Sequence, residues 1–185
     1  MRIQRQGTAI TLDQVDYLRK VLARFGFVNQ KHAATPLLSS FKPEANTSSP
    51  DLLIKQEYQE KVGSLLYLMI GTRPDISYAI TKMSQFVANL SKRHLDAVNH
   101  ICCYLMGTAD YKLIYGNIPE GLIAYANADW AGAKTRQSNT SNVIFIRGAA
   151  VSWNSRAQKT VMLSSTEAEY MACLLSFVPP PSAIG

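Results

Sequence analysis

The first hundred or so residues carry apolar side chains three or four positions apart, so that each segment forms one apolar stripe. This spacing is typical of amphipathic helices that pack one face against a core. It predicts four helices, over Thr11 to Phe25, Glu57 to Ile70, Pro74 to Ala88 and His94 to Met106. A capping box of Thr11 and Gln14 is expected to start the first helix, and Gly107 to end the last. We therefore expect a small helical region with one short strand at its start.

From Lys112 onward the spacing of the apolar residues changes from the helical to the extended pattern. Short segments rich in Val, Ile, Tyr, Phe and Trp are separated by turn-forming residues, which predicts consecutive antiparallel strands. These segments are LIYG, LIAYANADW, SNVIFIRG and AVSWNS. The stretch SSTEAEYMACLLSF then predicts a helix that starts with a capping box of Ser164 and Glu167 and stops before Pro179. Strands followed by a helix, after a helical region, indicate the α+β class.

In two stretches the apolar residues show neither helical nor extended spacing. Residues 35–50 (TPLLSSFKPEANTSSP) are rich in Ser, Thr, Pro and Asn, and they predict a surface linker within the helical region. Residues 179–185 form a Pro-rich tail. The expected organisation is a helical region over 1–111 and a sheet domain over 112–178.

The charge of the chain favours a polyanionic partner. The net charge is +6 with a pI of about 9.3, and the stretch from Lys134 to Lys159 contains five basic residues and no acidic one. These residues are Lys134, Arg136, Arg147, Arg156 and Lys159. On antiparallel strands they would line either a face that follows the phosphates of a nucleic acid or a merely solvated basic edge. Both interpretations stay open.

The cysteines and the apolar runs indicate an intracellular chain. Three cysteines, two of them adjacent and none in a C-x-x-C pair, support neither a disulfide framework nor a zinc site. No apolar run reaches the length of a membrane span, and no apolar leader follows Met1. His94 is expected to begin or cap its helix, and Cys102 and Cys103 to lie in or beside the core.

Several blocks of the sequence resemble one family. The chain is similar to the C-terminal part of the Pol polyprotein of Ty1/copia-type retrotransposons, in collinear order from Arg2 to about Leu175. The blocks are RIQRQGTAITLDQVDYLRKVLARFGF, VGSLLYLMIGTRPDISYAI, AVNHICCYLMGT, YANADWAG and VSWNSRAQKTVMLSSTEAEYMA. The resemblance implies that residues 1–111 are the tail of a reverse transcriptase, with thumb and connection helices. It implies that residues 112–178 begin a ribonuclease H domain, as an incomplete sheet of three antiparallel strands with one helix.

The implied ribonuclease chemistry requires two divalent ions, one to activate water and one to stabilise the leaving oxygen. Magnesium prefers carboxylate oxygens, so such sites collect Asp and Glu from several elements. By resemblance the second carboxylate is Glu169, and the first position is occupied by Asn127. The third has no counterpart before Gly185. Mg²⁺ is the cofactor that the family implies, but Asn127 removes one negative charge from its site.

Asp129 is the candidate substitute for the lost carboxylate. With period-two alternation it shares a strand face with Asn127, about 6.6 Å away at about 3.3 Å per residue. That separation is too long for a simple exchange, so Glu169 and Asp129 would make a weak metal site. The polymerase carboxylates are also expected to be missing, because the chain contains no Tyr-x-Asp-Asp block.

Three functions remain open after this reasoning. The first is an inactive ribonuclease H-like fragment of a Pol polyprotein, whose ancestral substrate is an RNA/DNA hybrid. The second is a non-catalytic, basic module that binds nucleic acid. The third is a nuclease completed by another chain, such as the rest of a Pol polyprotein. In the family the first strand of the sheet also pairs with a later one, so strand 122–130 is expected to be an open edge here.

Overall fold

A computed structural model describes residues 1–38, 41, 52–116, 121–129, 138–158 and 164–177. Most of the predicted linker, and all of the predicted Pro-rich tail at 179–185, lie outside this part. The chain divides into two compact units. The first comprises Met1–Arg5 and Thr11–Leu113, and the second Gln6–Ile10 and Ile114–Gly185.

The architecture is mixed α+β, as the sequence predicts. The described residues form five α-helices and two three-stranded sheets, with strand orders β1-β2-β3 and β4-β5-β6. The strands are β1 Arg2–Gln6, β2 Ala9–Asp13, β3 Leu113–Tyr115, β4 Leu122–Asp129, β5 Asn139–Ile146 and β6 Ala149–Ala157. The helices are α1 Val15–Arg24, α2 Leu52–Gly71, α3 Ser77–Ser84, α4 Lys92–Gly107 and α5 Ser165–Phe177.

The start of the first unit differs from the prediction. Two strands precede α1 rather than one, and Thr11 lies in β2, so the predicted Thr11/Gln14 capping box is wrong. Gln14 is the N-cap residue and makes no side-chain capping bond, while Asp13 just before it accepts a hydrogen bond from the Val15 N–H through its Oδ1 at 3.2 Å. The Gln14 side chain instead accepts a bond from the Thr72 hydroxyl at 2.9 Å. The Thr-x-x-Gln spacing therefore satisfies the capping pattern without adopting the capping geometry.

The core of the first unit lies between α1, α2, α3 and α4. Each helix contributes an apolar stripe, and the fully buried side chains include Tyr58, Leu65, Leu68, Ile76, Ile80, Met83, Ile101 and Leu105. Complete burial of such a side chain contributes about 1.5–3 kcal/mol. Tyr58 also donates its hydroxyl to the Met83 carbonyl at 2.7 Å, so its polar atom has a partner. The predicted helix 74–88 appears as a 3₁₀ turn over Pro74–Ile76 followed by α3.

His94 caps α4, as the sequence predicts. Its Nδ1 accepts a hydrogen bond from the Ser91 N–H at 2.9 Å, and the ring stacks on Phe86 with centroids 4.3 Å apart. Burial lowers the pKa of His94. The neutral ring is the form that can accept this hydrogen bond, so the capping geometry and burial favour the same protonation state. Cys102 is buried and Cys103 half-buried, which confirms both expectations.

A half-buried ion pair, in which Arg73 is buried and Asp75 is partly exposed, connects the start of α3 with the end of α4. The Arg73 guanidinium donates to both oxygens of Asp75, at 2.7 and 2.9 Å, and to the Thr108 carbonyl at 2.9 Å. The Tyr104 hydroxyl donates to Asp75 at 2.9 Å, and burial together with Asp75 raises the pKa of Tyr104 to about 12. The Arg73 side chain is only 4% exposed. Every charge in this cluster therefore has a geometrically matched partner.

The second unit contains the antiparallel sheet β4-β5-β6 and α5. In the described part of the chain β4 pairs only with β5, over Leu122↔Ile146 to Asp129↔Asn139, which confirms that it is an edge strand. One predicted strand was placed wrongly, because LIYG forms β3 and joins the N-terminal hairpin instead of this sheet. Three residues show too little alternation of apolar and polar side chains to predict which strand they pair with.

We predict that Asp75→Ala lowers the free energy of unfolding of the first unit by about 2–4 kcal/mol. The substitution leaves the Arg73 guanidinium, which is only 4% exposed, without its counter-charge, and a buried charge that loses its partner is costly. Urea denaturation followed by the far-ultraviolet signal of the helices would measure the change.

The control for this prediction is Asp110→Ala. Asp110 pairs with Arg19 at 3.1 Å, but both side chains are mostly exposed, and such pairs contribute about 0–1 kcal/mol. Equal losses in the two variants would contradict a structural role for the pair of Arg73 and Asp75.

Candidate functional site

Asn127 and Asp129 lie on the exposed edge strand β4. Asn127 is opposite Ser141 and Asp129 opposite Asn139 in the register with β5. Both side chains are exposed, and the pairing contains no irregularity between them. They therefore project from the same face of the sheet, as the alternation of the sequence predicts.

Gln158 shows which face of the sheet is covered by α5. Its Nε2 donates to the Thr140 hydroxyl at 2.8 Å and to the Ala168 carbonyl in α5 at 3.0 Å, and its own N–H donates to the Ser138 carbonyl at 2.7 Å. Thr140 lies directly opposite Ala128 on β4, and opposite residues share a face. The α5 side thus carries Ala128 and Thr140, while Asn127 and Asp129 project from the other side.

Glu169 lies in the first half of α5, next to the buried Ala168, and its side chain is exposed. The helix begins as predicted, since the Ser164 Oγ accepts a hydrogen bond from the Glu167 N–H at 3.2 Å. No hydrogen bond or ion pair within the described residues joins Glu169 to Asn127 or Asp129. The three predicted site residues belong to one α/β layer but do not form a contact cluster.

The donor set does not match a two-magnesium site. Within the described residues no group of three His, Cys, Asp or Glu side chains lies close enough to hold a metal ion. Asn127 offers a neutral carbonyl oxygen at the position where the resemblance implies a carboxylate. Mg²⁺ requires hard anionic oxygens in octahedral geometry, so the residues present do not fit it.

Two of the five predicted nucleic-acid-binding residues lie in the described part. Arg147 is at the exposed apex of the β5–β6 hairpin, and the half-buried Arg156 pairs with Thr140 near the opposite end. Seven residues of β5 separate their positions, or about 23 Å at 3.3 Å per residue. Lys134, Arg136 and Lys159 lie outside the described residues.

Arg147 has a backbone conformation unusual for its residue type. Its φ is +49°, and Gly148 follows with φ +88°, so a two-residue turn with both central φ angles positive connects β5 to β6. Such type I′ turns favour Asn-Gly, because Asn tolerates the left-handed region better than a long side chain. An arginine therefore occupies the exposed apex at some conformational cost.

Sequence reasoning missed Gln158, which is 4% exposed. Its three hydrogen bonds connect the end of β6, the start of β5 and the first turns of α5. The available signal was weak, since a lone glutamine between a strand and a helix has no periodic pattern. Only its position in the VSWNSRAQKTVMLSSTEAEYMA block pointed to it.

No helix in the described part of the chain is long and apolar enough to cross a membrane. No protein-family model matches the chain, and neither does any solved structure. Similarity is instead found to curated polyproteins. The chain is 39% identical over 180 residues to the Retrovirus-related Pol polyprotein from transposon TNT 1-94 of Nicotiana tabacum, covering 93% of this chain and 14% of the relative.

Two further relatives differ greatly in how much of their length is matched. The Retrovirus-related Pol polyprotein from transposon RE1 of Arabidopsis thaliana is 39% identical over 170 residues, which are 90% of this chain and 11% of the relative. An uncharacterized mitochondrial protein of Arabidopsis thaliana is 32% identical over 179 residues, which are 95% of this chain and 73% of the relative.

The fold and the candidate site define a two-unit α+β protein with a small antiparallel sheet covered by one helix. The comparisons identify its family. The chain belongs to the Pol polyproteins of copia-type retrotransposons, as the sequence blocks predict. It spans between 11% and 14% of the length of the first polyproteins it matches.

We predict that Gln158→Leu destabilises the second unit by about 1–3 kcal/mol. The substitution leaves the Ala168 carbonyl and the Thr140 hydroxyl buried without this donor, and unpaired buried polar groups cost about that much. Amide hydrogen exchange should rise in α5 and at the start of β5. Gln59→Leu, at an exposed position of α2, is the control and should leave exchange in α5 unchanged.

Proposed function

We propose that this chain is a part of a copia-type Pol polyprotein whose second unit is ribonuclease H-like but does not cleave RNA by itself. One observation carries the proposal, namely that Asn127 occupies the position where the family pattern has its first catalytic carboxylate. The position lies on an exposed edge strand, and no second acidic side chain is in contact with it among the described residues.

Electrostatics supports the loss of cleavage. Two divalent ions a few ångströms apart repel each other, and only a cluster of carboxylates offsets that repulsion. Asn127 supplies no charge, while Asp129 and Glu169 are both exposed to water and not joined to each other. Water screens the remaining charges and competes for the metal. The pair is therefore a poor site for two ions.

The order of the sheet supports the ribonuclease H-like assignment. Three antiparallel strands followed by a helix that covers one face is the plan that the resemblance implies for the beginning of that domain. The open edge at β4 is where the resemblance places a further strand. The assignment of the first unit to the thumb and connection helices belongs to the same proposal and rests on its helical composition.

We predict that neither the natural chain nor Asn127→Asp cleaves the RNA strand of an RNA/DNA hybrid in Mg²⁺. Asn127→Asp restores one charge and should tighten divalent-metal binding, measured by isothermal titration calorimetry with Mn²⁺ and Mg²⁺. Cleavage should appear only when Asn127→Asp is fused to the segment that follows in an intact relative. A labelled hybrid resolved on a denaturing gel measures the activity.

Glu169→Gln provides the control in each of these proteins. It should abolish any cleavage by the fused, restored protein while leaving the far-ultraviolet spectrum unchanged. Cleavage by the natural chain that disappears with Glu169→Gln would contradict the proposal.

The conformation of Arg147 favours a second function, the binding of nucleic acid without cleavage. A long cation held in a left-handed conformation at an exposed apex lowers stability, and such strain is often found at functional positions. Phosphate contacts from basic residues are independent of sequence and depend strongly on salt.

We predict that Arg147→Asn raises stability by about 0.5–1 kcal/mol, because Asn-Gly suits the turn. The same variant should weaken binding to an RNA/DNA duplex and flatten the plot of log K against log[salt] by up to about 0.9, the value for one phosphate contact. Fluorescence anisotropy at several salt concentrations measures both. Lys20→Gln, which removes an equal charge from the exposed surface of α1, is the control. An equal loss of binding in that variant, or no binding of the natural chain at low salt, would contradict a role for the hairpin apex.

A further inference from the structure

A strap without regular secondary structure, formed by residues 32–38 and Phe41, runs beside α4 in the first unit. One end of the strap packs on the end of the helix, since a Cβ added to Gly107 would lie only 3.1 Å from the His32 Cβ. The other end packs on the start of the helix, where the Phe41 and His94 rings meet edge to face with centroids 6.3 Å apart. The strap therefore runs antiparallel to α4.

Two hydrogen bonds attach the strap between these ends. Ala33 donates its N–H to the Cys103 carbonyl at 3.4 Å, and the Thr35 carbonyl accepts a bond from His100 Nε2 at 3.0 Å. All three histidines of the chain thus lie where the strap meets α4. Histidine is the side chain whose charge changes nearest to neutral pH, so this contact is a natural place for a response to pH.

Two of the three histidine contacts are compatible with a charged ring. A carbonyl can only accept, so His100 Nε2 carries its proton both in the neutral tautomer that makes this bond and in the cation. His32 is exposed, and a cation at the C-terminal end of a helix is favourable. Acid therefore leaves the contacts of His32 and His100 in place.

His94 differs because its contact requires the neutral ring. The residue is 1% exposed, and its Nδ1 accepts the Ser91 N–H. A proton on Nδ1 can bond to the Ser91 hydroxyl, 2.8 Å away, but the Ser91 N–H then loses its acceptor. Nε2 has no hydrogen-bond partner within the described residues. Protonation would therefore bury a charge beside unpaired donors, which is costly.

No charged side chain in the described part of the chain offsets this cost, and burial is the cause that lowers the pKa of His94. The first turn of α4 contains no acidic residue, and the N-terminal end of a helix disfavours a cation. The strap has no charged residue after His32, while Lys42 and Glu44 beyond it lie outside the described residues. The charged residues near His94 on α4 are the exposed Lys92, Arg93 and Asp96, α3 contributes Lys82, and on α2 the buried Lys61 is paired with Glu57.

We propose that His94 makes the attachment of the strap to α4 depend on pH. Protonation of the ring releases Phe41 and opens the first turn of α4, so that the new charge reaches water. The end of the strap at His32 and His100 stays attached. The strap therefore opens from one end only.

Phe41 is the neighbour of the ring that can give way. Phe86, which stacks on His94, is held by two backbone hydrogen bonds, from its own N–H to the Met83 carbonyl at 3.0 Å and from the Asn89 N–H to its carbonyl at 3.1 Å. The Phe41 N–H bonds within the strap, to the Leu38 carbonyl at 3.0 Å. Phe41 can therefore move with the strap while Phe86 remains tied to the end of α3.

The strap opens in acid. The pKa of His94 is lowered from 6.5 in the closed state, whereas an exposed ring in the open state has the ordinary value. The open state therefore binds the proton more tightly. The closed state is fully favoured above the ordinary pKa and loses this advantage as the pH falls through the lowered one. Each unit by which the pKa is lowered changes the ratio of open to closed molecules about tenfold.

Amide hydrogen exchange of the full chain tests the opening, compared at about pH 7.5 and about pH 5, on either side of the ordinary pKa of histidine. Rates are corrected for the intrinsic effect of pH. Exchange at Phe41, Ser91 and Leu95, whose N–H groups are bonded at this end of the strap and in the first turn of α4, should rise in acid by up to about tenfold for each unit of pKa lowering. Exchange at Ala33, and at Leu65 in the core of α2, should be unchanged.

His94→Asn separates titration from capping. Asparagine has its Oδ1 where the imidazole has Nδ1, so it can still accept the Ser91 N–H, but it takes up no proton. Its exchange should not depend on pH. His100→Gln is the matched control, because its amide nitrogen takes the place of Nε2 and can still donate to Thr35. This variant should respond to pH as the natural chain does.

A titration of the histidine rings by nuclear magnetic resonance tests the natural chain without any substitution. The His94 ring should titrate below pH 6.5, and a midpoint at or above the ordinary value would overturn the proposal. Equal exchange at both pH values, or a response that persists in His94→Asn or disappears in His100→Gln, would overturn it as well. A rise at Leu65 equal to that at Phe41 would show unfolding of the whole unit, and an equal rise at Ala33 would exclude opening from one end.

Discussion

The register of the second unit is set at the Arg147–Gly148 turn, and the geometry of the candidate site depends on it. The two positive φ angles allow a two-residue connection in which Ile146 pairs with Ala149. An irregularity between Ile144 and Phe145 is absorbed before the strands reach Thr140. Because a slip of one residue would exchange the two faces of a strand, this turn helps to decide which side chains face α5.

The two units are stabilised in different ways. The first contains a cluster of large buried apolar side chains and an internal ion pair, whereas the described part of the second buries alanines, small polar residues and the Gln158 hydrogen bonds. Burial of apolar area is the main favourable term in folding. The second unit therefore depends more on backbone pairing and on hydrogen bonds such as those of Gln158. The candidate site residues lie in the second unit, whose described part buries fewer large apolar side chains than the first unit.

The sequence predicted the elements whose periodic pattern is long. The stripe of α4, the capping role of His94 and the edge position of β4 among the described elements are confirmed, because each follows from several residues or from a whole strand. The Thr11/Gln14 cap and the partner of LIYG were wrong, because each rested on a few residues for which β2 and the N-terminal hairpin compete. Gln158 was missed for a similar reason, since its bonds join positions 10 to 20 residues apart. At the candidate site, the alternation of side chains along the strand correctly predicted that Asn127 and Asp129 share a face of the sheet. It could not predict where α5 places Glu169 relative to them.

On the proposed ribonuclease H-like assignment, the exposed position of Asn127 accounts for a retained family resemblance together with the loss of a metal ligand. An exposed side chain on an edge strand contributes little to folding, and surface substitutions usually change stability by less than about 0.5 kcal/mol. On the same proposal, an amide in place of a carboxylate at this position removes a full charge from a metal site, where affinity depends on charge. On the proposed assignment, catalytic competence therefore depends on a few exposed carboxylates that the fold itself does not require.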